Sequence, residues 1–117
     1  RALVRDGLTT FARFSVMHGA VSGPADEPTR EILARLHDGY DMRAHTRADS
    51  SQAGLLDDGF VDRFAIAGPP EHCIARLQEL AALGLDKIVV SGPTAGSDPD
   101  AARAAMALLD AEVIGKV

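Results

Sequence analysis

A helix-rich α/β fold with two parallel strands is what this 117-residue sequence predicts, and three observations predict it. Phe64-Ala65-Ile66-Ala67 and Ile88-Val89-Val90 are short apolar runs without polar alternation, as expected of parallel strands covered on both faces. Between them runs an amphipathic stretch from Pro70 to Leu83 that stops at Gly84, and a further helical pattern follows the second run. In the order strand, helix, strand, helix, a right-handed crossover sets the two strands parallel and adjacent. Two strands alone make no stable parallel sheet, so their faces and edges call for partner strands from another part of a longer chain or from a second copy.

The elements follow in order. From Ala2 to His18, Val4, Leu8, Phe11, Ala12 and Ser15 form one stripe while Leu3, Phe14 and Met17 form a second, which predicts a helix buried on more than one side and closed by Gly19. Val21 to Pro28 is rich in turn formers, and Pro28 suits the start of a helix carrying Ile32, Leu33, Leu36 and Tyr40 at three- and four-residue steps. Arg47 to Gly54 is polar and reads as a surface loop. Leu55 to Arg63 reads as a short helix with Leu56, Phe60 and Val61 on one face. In the next helix Pro70 and Glu71 fit the first turn, Cys73, Ile74, Leu77, Leu80 and Ala81 form the apolar stripe, and Gly84 fits a left-handed stop. Ser97 or Asp98 can cap a last helix with Pro99 in its first turn and Ala102, Ala105, Met106, Leu109 and Val113 on its inner face.

Composition narrows the function classes. Hydrophobic residues make up 46% of the chain, enough for the core of one domain at most. No run reaches the ~20 apolar residues that cross a bilayer, and the start lacks the layout of a signal peptide, so a cytoplasmic protein without membrane contact is expected. Arg1 stands where a helical spacing is already under way, which reads as a truncated or processed segment. Cys73 is the single cysteine, which excludes an internal disulfide and a cysteine-rich zinc site. Residues 1–45 balance six basic against six acidic side chains, whereas residues 46–117 hold six against eleven, giving a net charge of −5. With that acidity, one Tyr and no Trp, nucleic acid is not an expected partner.

The run from Phe64 to Pro93 resembles the C-terminal part of the bacterial luciferase-like monooxygenase superfamily, most closely its members that use the deazaflavin coenzyme F420. The shared pattern is an apolar run, Gly68, Pro70-Glu71, a helix ending in Leu80 and Gly84, and Asp86 before the second apolar run. Pro69 departs from it, standing where a hydroxyl residue would cap the helix. Phe11 to Gly19 and Tyr40-Asp41-Met42 with His45 are similar to segments of the same superfamily. The resemblance implies that residues 1–117 form the C-terminal segment, the closing third, of one (β/α)8 TIM-barrel domain: a helical region over 1–63 and the last two βα units over 64–117. A whole barrel needs about 250 residues. It further implies a flavin- or deazaflavin-dependent oxidoreductase or monooxygenase that moves hydride between F420, or alternatively FMN, and a small organic substrate. Such a protein is expected to be a homodimer, with its catalytic residues upstream of Arg1 and the 117 residues inactive by themselves.

Within this frame the loop Gly92, Pro93, Thr94, Gly96 and Ser97 is the candidate cofactor contact, since the loops after the last barrel strands often hold a phosphate. Asp98 and Asp100 at the same helix start would repel an anion, and an ordinary polar loop is the competing reading. Arg63 is the candidate substrate contact, because a basic residue near this place meets an anionic substrate group in sugar-phosphate-oxidising relatives; a surface ion pair with Asp58 or Asp62 is the simpler reading. His37, Asp41 and His45 are four apart and could share a helix face, but no further ligand accompanies them, and a solvated face with no metal is expected. His18 suits a helix C-terminus, His72 does not face Cys73, Cys73 belongs to an apolar stripe, and Ser15 with His18 and Asp6 lacks the surroundings of a nucleophile. The alternative to an oxidoreductase is a non-catalytic, helix-rich module that self-associates through Leu and Ala faces.

Overall fold

The computed structural model describes residues 1–44, 47 and 50–117. Among these described residues five α-helices are joined by irregular segments: α1 over Ala2–Phe14, α2 over Glu27–Gly39, α3 over Asp58–Phe64, α4 over Pro70–Ala81 and α5 over Pro99–Leu108. Short 3-10 helices occupy Met42–Ala44 and Ser51–Leu55, and α5 runs on into a π-helical turn over Leu109–Val113. Local chemistry explains most of the boundaries. Asp26, Asp57 and Asp98 each stand at an N-cap and accept a hydrogen bond from the backbone N–H three residues on, at 3.1, 2.7 and 2.7 Å. Helix α4 has Pro69 at its cap position and no side-chain cap, with Pro70 in the first turn where a missing N–H costs nothing. Past its C-terminus Gly84 adopts φ +82°, the left-handed stop expected of it.

The core lies in the first half of the chain. Leu8, Ala12 and Val16 from α1 and its following turn meet Ile32, Leu33 and Leu36 of α2 and Leu56, Phe60 and Val61 around α3. The segment over Ser51–Leu55 is not the surface loop its polarity predicts, because Gln52 and Ala53 are buried against α1 and α2. Of the second stripe of α1, Phe14 is 59% and Met17 41% exposed, and Phe11 of the first stripe is 60% exposed, so that helix is buried mainly on one side. In the second half, α4 packs on the π-helical turn through buried Leu77 and Val113, and α5 contributes no fully buried residue.

The described residues contain no β-strand, so the expected α/β architecture with two parallel strands, and with it the closing third of a (β/α)8 barrel, is not what the chain forms. Phe64 is the last residue of α3, and the chain leaves that helix at Ala65 in extended backbone. Lys87 to Ser91 is irregular, with Val89 78% exposed and no backbone hydrogen bond to any described residue. The reason is physical: a strand exists only through its ladder, and neither run finds a neighbouring strand to accept and donate along it. The two runs do approach a common cavity, yet no backbone bond joins them.

Candidate functional site

That cavity, about 230 Å³, opens between the start of α1, the turn Ile66–Pro70, the segment Val90–Pro93 and the inner side of α5 with its π-helical turn. Leu3, Ile66, Val90, Met106, Leu109 and Val113 give it an apolar lining. Arg1 is the one charged residue among the described lining, and its guanidinium is spent on a two-pronged pair with Asp62, Nε to Oδ1 at 2.6 Å and Nη2 to Oδ2 at 2.8 Å. The pair raises Arg1 and holds the Asp62 carboxyl below the usual range, in both cases chiefly through the hydrogen bonds between them. Both side chains are about half exposed, so the bridge orients the rim more than it stabilises the fold.

The loop expected to contact a cofactor forms one wall. Gly92 packs closely on α5: a Cβ there would stand 2.7 Å from the Met106 Sδ, so that flexible side chain would have to swing aside. Thr94 is committed to α1. Its backbone N–H donates to the Leu3 carbonyl at 2.7 Å while its Oγ1 accepts from the Gly7 N–H at 2.9 Å, so it brackets the acceptor and donor of a single i→i−4 step of that helix. Gly96 turns the loop at φ +86°, Ser97 N–H donates to the Thr94 carbonyl at 3.1 Å, and Asp98 begins α5. Among the described residues the buried Ser97 Oγ has no partner, and the N–H groups of Ala95 and Gly96 have no acceptor. Gly92 and Pro93 line the cavity, whereas Thr94, Gly96 and Ser97 lie along the loop beyond it.

Arg63 is placed elsewhere. Its Nη1 pairs with Asp26 Oδ2 at 2.6 Å and donates to Thr29 Oγ1 at 2.5 Å, tying the end of α3 to the cap of α2 beside a shallow groove that shares no residue with the apolar cavity. The Asp26 carboxyl is held far below the usual range, first by the Arg63 hydrogen bond and then by those of Thr29.

The remaining candidates do not assemble. Helix α2 ends at Gly39 with Tyr40 in extended backbone, so Asp41 does not continue the face of His37, and His45 lies outside the described residues. His37 Nδ1 meets its neighbour Asp38 at 3.2 Å, and among the described residues no three ligand-type side chains gather. Cys73 lines the cavity with its thiol donating to the Gly68 carbonyl at 3.6 Å, and no imidazole or carboxylate stands among the described lining to activate it. Asp6 is turned into the protein, where Ser50 Oγ donates to Oδ1 at 2.9 Å, so it forms no triad with Ser15 and His18. That buried polar contact, with Gln52 Oε1 accepting from the Asp41 N–H at 2.9 Å, was missed by sequence reasoning. Its signal was present in the spacing: Asp6, Thr9, Ala12 and Val16 recur at helical steps, and all four are buried.

The cavity can therefore seat an apolar body, but its described lining supplies neither a proton-transfer group nor an activated nucleophile. No family model matches the chain, and no solved structure matches it. Among curated proteins the chain is similar to a reductase. That protein is the 5,10-methylenetetrahydromethanopterin reductase of Methanolobus tindarius, 34% identical over 62 residues, which cover 53% of this chain and 18% of the reductase. The similarity thus spans less than a fifth of that enzyme's length. Among the described residues no helix is long and apolar enough to cross a membrane.

Proposed function

We propose that the chain is part of an oxidoreductase of the luciferase-like family, exchanging hydride between the deazaflavin coenzyme F420 and a small organic substrate. The observation that carries this reading is the 62-residue similarity to the methylenetetrahydromethanopterin reductase, a protein whose name states a reduction. The turn at Gly68, the Pro70-Glu71 helix start and the glycine stop at Gly84 support it, while the missing cap at Pro69 departs from the family pattern. When bound, the cofactor supplies the hydride. The chain's own part is binding: Gly92 and Pro93 shape the cavity edge, Thr94 anchors the loop on α1, and the exposed Gly96 N–H and, once the loop opens, the buried Ser97 hydroxyl, both unpaired among the described residues, are the donors left for a polar group of the cofactor. The unpartnered Ser97 Oγ is the feature of this loop that fits such a ligand, while Asp98 and Asp100 limit how closely an anion can approach. Arg63 would meet a substrate anion only by releasing Asp26, so a ligand there competes with the cap of α2. The functional unit in this reading is a homodimer.

Titration of the intact protein with F420, followed by the cofactor's fluorescence, is the test. Saturable quenching is expected, weakened about fivefold by Ser97→Ala through loss of one hydrogen bond. Saturable binding of FMN with none of F420 would reassign the cofactor. No response to either, with a stable self-associated species in sedimentation, would replace the oxidoreductase with a non-catalytic association module.

A further inference from the structure

We draw no further inference here: the strongest candidate, the exposed apolar surface formed by the unbonded Lys87–Ser91 segment with Val89 and Val90 beside the α5 cavity, carries nothing because nothing in the structure shows what covers it.

Discussion

Thr94 shows how much one side chain can hold. It ties residues 87 positions apart with a hydroxyl acceptor and a backbone donor, both spent on the first two turns of α1. Thr94→Val keeps the shape and removes the acceptor, leaving the Gly7 N–H without the loop's hydroxyl. The expected cost is about 1 kcal/mol in denaturant unfolding, with Thr94→Ser close to wild type; equal losses in both variants would mean that the methyl, not the hydroxyl, does the holding. Asp26 makes a pH-dependent counterpart. Because its carboxyl is depressed in the folded protein, its ion pair with Arg63 stabilises above the unfolded carboxyl value of about 4 and is lost as pH falls through the lower folded value. Asp26→Asn, which can still cap α2, should therefore be less stable than wild type near neutrality and approach it in acid. A difference that stays constant on acidification would refute the linkage. Thr94's anchoring was not legible in the sequence, since its partners Leu3 and Gly7 are distant along the chain, whereas the Asp26 cap lies three residues from the N–H it receives.

Caps and stops are the part of the fold that the sequence carries openly. Pro70, Gly84 and Asp98 mark their helices correctly because each acts on backbone within one turn. The two apolar runs misled because a strand is defined by neighbours, and Ile88-Val89-Val90 reads the same whether or not a ladder exists to receive it. Of the loop expected to bind a cofactor, Gly92 and Pro93 do reach the cavity edge, while the separation of Arg63 from it depends on how α2 and α3 pack and could not be read locally. Capping also separates the two halves energetically. Helix α3 feeds Phe60 and Val61 into the core, so Asp57→Ala should lower global stability by about 1 kcal/mol. Asp98→Ala, at a helix without a fully buried residue, should instead speed amide exchange over residues 101–104 and leave the main unfolding transition nearly in place. Equal shifts in melting temperature for the two variants would contradict this.

At the scale of the whole molecule, stability is concentrated in the first 61 residues. Leu36 is fully buried, and Leu36→Ala should cost about 2–5 kcal/mol, whereas Met106→Ala, at a side chain 44% exposed, should cost under about 1 kcal/mol; calorimetry on the two variants decides it. The irregular segment around Lys87 then has a practical consequence. A protease needs a substrate backbone that is free to pair with its own cleft, and Lys87 is exposed, non-helical and the sole basic residue between Arg76 and Arg103. Trypsin should cut there while Arg35 and Arg76, held inside helices, survive. The nick would part residues 1–87 from 88–117 covalently but not physically, since Thr94 still grips α1 and the π-helical turn still lies on α4. Cleavage at Lys87 alone would thus leave a native complex of two peptides, separable only on denaturation.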